Sequence, residues 1–248
     1  TTPDHPLFPS VSSLIGHRLG LGHVPCVDMS AACTGFVYAL SAATAWIRSG
    51  MYRKILMVCV DTLSHFLYWT DRSTCILFGD GAGAMLLEAG PANGGSNVIS
   101  FDLHADGSGS NMLIVPEGGS RKPFSETTLS SRGQFLRMDG PAVYKFAISA
   151  ITESVHAVLR ESGLTIADVQ HFIPHQANIR IIDSAAKKLG LPEGVIRTNL
   201  DRFGNTSSAS IPIVLDELNR AQMLKRGDII VTVGFGAGLT WGASIIRW

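Results

Sequence analysis

Cys33 is a residue whose surroundings suggest chemistry. It lies in the segment Ser-Ala-Ala-Cys-Thr-Gly-Phe at residues 30–36, where small residues lead from an expected strand into an expected helix. A thiol at the N-terminus of a helix feels the positive end of the helix dipole, which lowers its pKa and favours the thiolate. The sequence therefore predicts a candidate nucleophile, with a buried structural cysteine as the alternative.

Two further polar residues occupy positions suited to a site. His175 lies in Pro-His-Gln-Ala-Asn at 174–178, just after an expected buried strand, and open α/β sheets place ligand sites at such ends. A structural histidine is the alternative. Asn205 lies in Gly-Asn-Thr-Ser-Ser-Ala-Ser at 204–210, where an ordinary helix N-cap is the competing interpretation. The same residues form a glycosylation sequon, but nothing else in the sequence indicates secretion.

A glycine-rich loop near the end of the chain reads Gly-Phe-Gly-Ala-Gly-Leu-Thr-Trp-Gly at 234–242. A strand is expected after it, whereas a nucleotide-binding glycine loop opens a helix, so a Rossmann motif is rejected. Glycines permit close backbone approach, and backbone N–H groups there could hold an oxyanion. A plain tight hairpin is the alternative.

The composition indicates a folded protein with a large core. Hydrophobic residues make up 46% of the 248 residues and charged residues 16%, which suits one or two closely packed domains. The longest apolar runs, at 55–60 and 229–233, are far shorter than the roughly 20 residues of a membrane-spanning helix, so no membrane segment is expected. Lys plus Arg equals Asp plus Glu at 20 each, and no basic stripe with interleaved aromatics occurs, which argues against nucleic acid as a partner.

The four cysteines are Cys26, Cys33, Cys59 and Cys75. They show neither a Cys-x-x-Cys pair nor a histidine spacing typical of zinc sites, so we expect reduced thiols and no metal. No charged start followed by a short apolar segment is found, so a signal peptide is not indicated and the cytoplasm is the expected location.

The elements that must position these residues alternate between buried strands and helices, which predicts an α/β fold with a mostly parallel sheet. In the first half we expect a helix over 33–49, strands at 55–60 and 84–87, and a link between halves at 90–97. In the second half we expect strands at 98–103, 134–138, 172–174, 229–233 and 243–248, and helices at 141–162, at 178–189 and from 206–210 onward.

The four chemistry-bearing segments together resemble the motifs of the β-ketoacyl-acyl-carrier-protein synthase III family, within the thiolase superfamily. The segments around Cys33, His175 and Asn205 follow the order of that family's Cys-His-Asn triad, and Gly-Leu-Thr-Trp-Gly follows them. Phe-Gly-Asp-Gly-Ala-Gly at 78–83 and His-Ala-Asp-Gly at 104–107 match as well. The resemblance covers essentially the whole chain.

The resemblance implies an α/β, thiolase-like fold of two pseudo-equivalent halves, with mixed sheets layered between helices. Residues 1–96 would form the half that carries the nucleophile, and residues 97–248 the half that carries His175 and Asn205. The family has a further N-terminal segment, so the first half is expected to be incomplete and the chain alone to fold poorly. A homodimer is implied by analogy.

The resemblance also assigns binding roles. The backbone N–H groups of Cys33 and Ala237 would form an oxyanion hole, and the change from the family's frequent glycine to Ala237 leaves that donor in place. Pro141 departs from the family near the substrate tunnel, which puts contacts there in doubt. The residues implied to contact coenzyme A or substrate are Phe8, which would set primer length, Arg72, Asn178 and Phe235.

A basic surface on one helix would receive the acyl carrier protein (ACP), which is acidic. Arg180, Lys187 and Lys188 match this surface, and helical spacing allows them to share one face. A solvated charged face is the alternative interpretation.

The implied reaction is the decarboxylative Claisen condensation of an acyl-CoA primer with malonyl-ACP, which gives 3-oxoacyl-ACP and initiates fatty acid synthesis. Cys33 would carry the acyl group, His175 and Asn205 would stabilise the enolate, and no metal or redox cofactor is required. Two alternatives stay open. One is a related condensing enzyme or acyltransferase of secondary metabolism, forming a polyketide starter, a quinolone precursor or an ester. The other is a non-catalytic, truncated paralogue that acts as a scaffold.

Overall fold

The structure is a computed structural model that describes residues 8–90 and 97–248. Its helices are α1 (Val11–Arg18), α2 (Gly35–Arg48), α3 (Glu126–Ser131), α4 (Gly140–Ser162), α5 (Ile179–Leu189), α6 (Leu200–Phe203) and α7 (Ser210–Arg220). Its strands are β1 (Lys54–Thr62), β2 (Asp80–Glu88), β3 (Asn97–Ala105), β4 (Leu113–Ile114), β5 (Arg137–Met138), β6 (His171–Pro174), β7 (Ile229–Gly236) and β8 (Thr240–Arg247). Short 3-10 turns at Ala32–Thr34 and Ser207–Ala209 lead into α2 and α7.

The two helices beside the candidate site have well-defined ends. At the start of α4, the Asp139 carboxylate accepts a hydrogen bond from the Ala142 N–H at 3.0 Å, and the helix ends where Gly163 takes a φ of 68°. The side chain of Asn178 caps α5, which ends at Gly190 with a φ of 67°. These caps confirm the helices predicted at 141–162 and 178–189 within one residue.

The main sheet has the order β3-β8-β7-β6 and is mixed. Strands β6 and β7 are parallel, whereas β7 pairs with β8, and β8 with β3, in the antiparallel sense. A second, antiparallel pair is formed by β1 and β2. The expectation of a mostly parallel sheet was therefore wrong. The turn at 237–239 is far too short for the crossover that parallel strands require, so β7 and β8 form a hairpin.

Two apolar clusters place the helices on both faces of this sheet. Val231, Val233 and Phe235 point from β7 into the cluster formed with α4 and α5. Ile230, one position out of phase, points into the cluster formed with α2 and α7, as the two-residue period of a strand requires. Met57 of β1 joins the second cluster, so α2 and α7 lie between the two sheets. The layering of sheets and helices thus agrees with the thiolase-like prediction.

Several predicted boundaries differ from the structure. The strand expected at 134–138 has only two residues, and the strand expected at 84–87 begins at Asp80. Its early part is rich in glycine because it packs tightly on α7: a Cβ on Gly83 would lie 2.8 Å from Cγ of Pro212. The link expected between the two halves falls mostly outside the described residues. Within 8–90 and 97–248, no helix combines the length and apolarity needed to cross a membrane.

Candidate active site

A cavity of ≈ 410 Å³ opens where β6 and β7 end and the turn before α2 begins. Cys33, His175 and Asn205 all line it, although they are far apart in sequence. A larger cavity of ≈ 590 Å³ lies between α1, α2 and β1 and contains none of the three. The smaller cavity is therefore the candidate site, because the predicted chemistry converges there.

The Cys33 thiol is held between the first turn of α2 and strand β7. It lies in the 3-10 turn that leads into the helix and is 7% exposed. Gly236 of β7 packs directly on it: a Cβ there would lie 2.8 Å from the Cys33 backbone nitrogen. A Cβ on Gly234 would likewise lie 3.2 Å from the Cys33 carbonyl oxygen. The glycines of the terminal loop thus permit close approach to Cys33, as the sequence indicated.

The ionisation of Cys33 differs from the sequence prediction. Burial raises the pKa of this thiol to about 12, while a hydrogen bond from Ser207 lowers it and the charge of Asp61 raises it. The helix N-terminus was expected to lower the pKa, but loss of water around the sulfur outweighs that favourable field. The neutral thiol is therefore the resting form at pH 7.

His175 follows β6 directly and is 1% exposed. Its backbone N–H donates to the carbonyl of Val233 at 2.7 Å, and Nδ1 lies 2.8 Å from Oγ of Ser210. The Phe235 ring meets the imidazole edge to face at 5.4 Å. Burial lowers the pKa of His175 to about 4, although Asp61 and the Ser207 backbone act in the opposite direction. The imidazole is consequently neutral at pH 7.

Asn205 is 5% exposed and tied to the first half of the chain. Its backbone N–H donates to Leu77 at 2.9 Å, and its carbonyl accepts from Gly79 at 2.8 Å. Its side-chain Oδ1 accepts from the Ser207 N–H at 2.9 Å. That bond identifies the acceptor end of the amide, so Nδ2 provides the donors at its other end.

Ser207 connects all three predicted residues. Its hydroxyl donates to the Cys33 sulfur at 3.3 Å, its N–H donates to Asn205, and its carbonyl accepts from the Ser210 hydroxyl that also contacts His175. It has a φ of 52°, in the region that normally favours glycine. Such strained residues cluster at functional sites, where surrounding bonds hold them in place.

Threonine hydroxyls link the loop that carries Ala237 to the turn that carries Cys33. Oγ1 of Thr240 donates to the carbonyl of Ala31 at 3.0 Å and lies 3.1 Å from the carbonyl of Ala237. The Thr34 hydroxyl bonds the carbonyl of Thr240 at 3.0 Å. These bonds hold the loop beside Cys33, although Gly236 and Leu239 line the cavity and Ala237 does not.

The structure brings some of the predicted binding residues to the cavity and leaves others away from it. Phe235, Asn178 and Arg180 line it. Arg72 is exposed and adjoins Ser73, which lines the cavity in its place. Phe8 is 83% exposed and is not a lining residue. Lys187 and Lys188 are both exposed in the last turn of α5.

Sequence reasoning missed the roles of Ser207, Ser210 and Tyr144. The two serines lie inside the segment that was singled out for Asn205, so their proximity to it was the available signal. Tyr144 of α4 lines the cavity, and its hydroxyl lies 2.8 Å from Oγ of Ser184 on α5. This contact joins the two helices that flank the site.

The cysteines and acidic residues form no cluster of other chemistry in the described part of the chain. Cys26, Cys33, Cys59 and Cys75 are all free thiols. Among residues 8–90 and 97–248, no group of three or more His, Cys, Asp or Glu side chains is arranged to hold a metal ion.

Comparison with known proteins relates both halves to one family. Residues 27–107 match the family described as 3-oxoacyl-[acyl-carrier-protein] synthase III, and residues 159–248 match its C-terminal family. The β-ketoacyl-[acyl-carrier-protein] synthase III of Desulfitobacterium hafniense is 46% identical over 247 residues, which cover 100% of this chain and 74% of that protein.

Solved structures agree with this relationship. The 3-oxoacyl-(acyl carrier protein) synthase III of Pseudomonas aeruginosa superimposes with a TM-score of 0.90 at 40% identity, over 100% of this chain and 74% of that one. The priming β-ketosynthase of the R1128 polyketide pathway gives 0.87 at 33% identity, over 99% and 72%. With the converging thiol, imidazole and amide, these matches show that the chain belongs to the β-ketoacyl-acyl-carrier-protein synthase III family of acyl-transferring condensing enzymes.

Proposed function

We propose that this chain condenses an acyl-CoA primer with malonyl-ACP and releases CO₂ and coenzyme A, the reaction that initiates fatty acid synthesis. The observation that carries the proposal is the convergence of Cys33, His175 and Asn205 on one cavity, linked through Ser207. Residues 1–96 supply the nucleophile and residues 97–248 supply the imidazole and the amide. The two halves of the fold thus both contribute to one site.

In the first stage, the Cys33 sulfur attacks the acyl-CoA thioester. A new S–C bond forms, the bond to the coenzyme A sulfur breaks, and the thiol proton ends on the departing coenzyme A. The backbone N–H groups of Cys33 and Ala237 face the developing oxyanion in this proposal. Since burial keeps the thiol neutral at rest, its proton leaves only during the attack and not before it.

In the second stage, malonyl-ACP binds and loses CO₂. The electrons of the broken C–C bond pass into an enolate, whose oxygen accepts hydrogen bonds from Nε2–H of His175 and Nδ2–H of Asn205. The enolate carbon attacks the Cys33 thioester and expels the thiolate, which takes up one proton from water. Two neutral donors suit this step, because burial keeps His175 uncharged at pH 7. The scheme calls for no metal or redox cofactor.

The substrate channel follows from the lining of the cavity. Asn178, Arg180 and Phe235 lie along it and are proposed to contact the pantetheine arm or the acyl chain. Arg72 is proposed to contact the part of coenzyme A that lies outside the cavity, because Arg72 is exposed and adjoins the lining residue Ser73. Phe8 keeps its proposed role in primer length only if a neighbouring subunit brings it to a cavity.

The basic surface of α5 is proposed to bind ACP. Arg180 at the mouth of the cavity and the exposed Lys187 and Lys188 at the end of α5 present positive charge to an acidic carrier. A homodimer and a cytoplasmic location are further parts of the proposal. Light scattering during size-exclusion chromatography tests the dimer, and cell fractionation tests the location.

The test of the main proposal is acyl labelling. Protein incubated with acyl-CoA carrying a labelled acyl group should gain one stable acyl label, and the Cys33→Ser variant should gain none. Cys59→Ser is the matched control, because Cys59 is also buried and burial also raises its pKa to about 12. Label that persists in Cys33→Ser would refute the assignment of the nucleophile, whereas an unsubstituted protein that gains no label would favour a scaffold role.

The second candidate function is starter condensation in secondary metabolism, which the likeness to the R1128 priming ketosynthase favours. It uses the same triad, so the site cannot be the discriminating feature. Rates with short and long acyl-CoA primers, and with malonyl-ACP against alcohol or amine acceptors, separate the two. Preference for a short primer with malonyl-ACP supports the main proposal, and preference for a long primer with malonyl-ACP supports starter condensation. Turnover with an alcohol or amine would instead indicate an acyltransferase.

A further inference from the structure

The hydroxyl of Ser210 has one proton and two neighbours that can accept it. Ser210 opens α7, is 1% exposed, and its Oγ lies 2.8 Å from the carbonyl of Ser207 and 2.8 Å from Nδ1 of His175. The Gln176 N–H donates to the same oxygen at 3.2 Å. A hydroxyl has only one hydrogen to donate, so it bonds either the carbonyl or the imidazole nitrogen.

The two choices give His175 different tautomers. If the hydroxyl donates to Ser207, then Nδ1 must carry the ring proton and donate to Oγ, which leaves Nε2 as an acceptor. If the hydroxyl donates to Nδ1, the ring proton lies on Nε2, which becomes a donor toward the cavity. A neutral imidazole has one ring proton, so both nitrogens cannot donate together.

The structure makes the second arrangement accessible at little cost. The Ser207 carbonyl also accepts the backbone N–H of Ser210, so it keeps a partner when the hydroxyl turns away. The hydroxyl hydrogen rotates, the ring proton leaves Nδ1 and one is taken up at Nε2 by exchange with solvent in the cavity, and Oγ retains the bond from Gln176. No heavy atom moves between the two arrangements.

We propose that Ser210 is a positioning residue that selects the tautomer of His175 by donating its hydroxyl proton to Nδ1 while malonyl-ACP is decarboxylated. This inference rests on the proposed function, in which Nε2–H stabilises the enolate. Ser210 touches neither substrate nor reacting atoms in this scheme. A catalytic histidine held in the wrong tautomer loses most of its rate even when its geometry is intact.

The substitution that tests the inference is Ser210→Ala. Without the hydroxyl, Nδ1 is expected to keep the ring proton and donate it to the Ser207 carbonyl, because that backbone group already favours the protonated ring. Decarboxylation and condensation should fall on the order of 10- to 100-fold, the effect of losing one positioned donor or its support. Acyl transfer from acyl-CoA to Cys33 should stay within about twofold, because no enolate forms in that stage.

Two control variants and one spectroscopic measurement complete the test. Ser210→Thr retains a hydroxyl and should restore most of the condensation rate. Ser244→Ala removes another fully buried serine hydroxyl, which is paired with Thr232 at 2.6 Å in the sheet, and should leave the condensation rate unchanged. ¹⁵N spectra of labelled histidine should show Nε2–H at His175 in the acylated protein with an amide-linked malonyl-ACP analogue bound, and Nδ1–H in Ser210→Ala.

The outcomes separate the two levels of the proposal. If Cys33 is not acylated, or if His175→Ala condenses normally, the proposed function itself fails. If Cys33 is acylated and His175→Ala fails to condense, but Ser210→Ala condenses at the normal rate, the tautomer inference alone is overturned. A dominant Nδ1–H signal in the unsubstituted protein with the analogue bound overturns it too, and this result does not depend on whether a variant folds.

Discussion

Ser207 donates a hydrogen bond to the sulfur of Cys33 at 3.3 Å, although 174 residues separate the two in sequence. The donor lowers the pKa of a thiol that burial and the nearby Asp61 carboxylate raise. This side-chain hydrogen bond favours the thiolate as the proton departs. Through this bond, the segment that contains Asn205 stabilises the sulfur that is proposed to attack acyl-CoA.

The first prediction concerns this bond. Ser207→Ala should slow acylation of Cys33 by about fivefold, since a hydrogen bond of this kind contributes about 1 kcal/mol. Rapid-quench measurement of acyl transfer from labelled acyl-CoA gives the rate directly, with Ser244→Ala as the control for removing a buried hydroxyl. An unchanged acylation rate would show that the sulfur does not depend on this donor.

The fold and the convergence of Cys33, His175 and Asn205 on one cavity were largely predictable from the sequence, whereas the electrostatics of these residues were not. Cys33, His175 and Asn205 lie in short segments with distinctive neighbours, and the helices around them carry ordinary caps such as Asn178 and Gly190. The pKa of Cys33 depends on how much water the folded chain removes from the sulfur. That quantity comes from β7 packing on the turn, which is a contact between distant segments.

The role of Ser207 could not be predicted from the sequence for a related reason. Its three bonds arise from a positive φ and from the approach of residues 31–34 to the start of α7. A sequence lists serine, threonine and alanine in that segment without showing which hydroxyl points to sulfur. In the same way, the tight hairpin that the sequence left as an alternative for the terminal loop pairs β7 with β8 in the antiparallel sense, so the sheet is mixed and not mostly parallel.

The second prediction concerns acid stability. Burial keeps the pKa of His175 at about 4 in the folded chain, against 6.5 for an ordinary histidine. Between these values the unfolded chain binds a proton that the folded chain does not, so stability falls as pH drops from 6.5 toward 4. The shift corresponds to about 3 kcal/mol at the low end of that window.

Urea unfolding at pH 7, 6, 5 and 4.5 measures this dependence. His175→Gln should be less stable at pH 7 but should lose less stability on acidification, because its side chain does not titrate. His171, which is also buried and whose pKa is also lowered, remains in both proteins and contributes equally. Parallel pH curves for the two proteins would contradict the prediction.

The third prediction concerns the close approach of the terminal loop. In Gly236→Ala, the new Cβ would lie 2.8 Å from the Cys33 nitrogen and 3.1 Å from its Cβ, so the loop and the nucleophile must separate. We expect a stability loss of about 1–3 kcal/mol from overpacking. Acylation should fall by about 100-fold, because a displacement near 1 Å at a reacting group has effects of that size.

Gly119→Ala is the matched control for this substitution. A Cβ at Gly119 would meet no atom within 4 Å, so both stability and acylation should stay near normal. Thermal unfolding and rapid-quench acylation are measured on both variants. Acylation at the normal rate in Gly236→Ala would mean that contact between the loop and Cys33 is not needed for the first stage.

The fourth prediction concerns the basic end of α5. Lys187 and Lys188 are exposed and lie outside the lining of the cavity, so reversing their charge should leave the chemistry of acyl-CoA intact. The double variant Lys187→Glu and Lys188→Glu should lower kcat/KM for malonyl-ACP by roughly 10- to 100-fold at low salt, because long-range attraction to an acidic carrier becomes repulsion. The deficit should shrink as salt screens the charges.

Lys225→Glu, which reverses an exposed charge just before β7 and away from its cavity end, should have little effect. Equal losses with malonyl-ACP and malonyl-CoA, or a loss that salt does not change, would remove this surface from the proposal and leave Arg180 at the cavity mouth as the proposed contact to examine next.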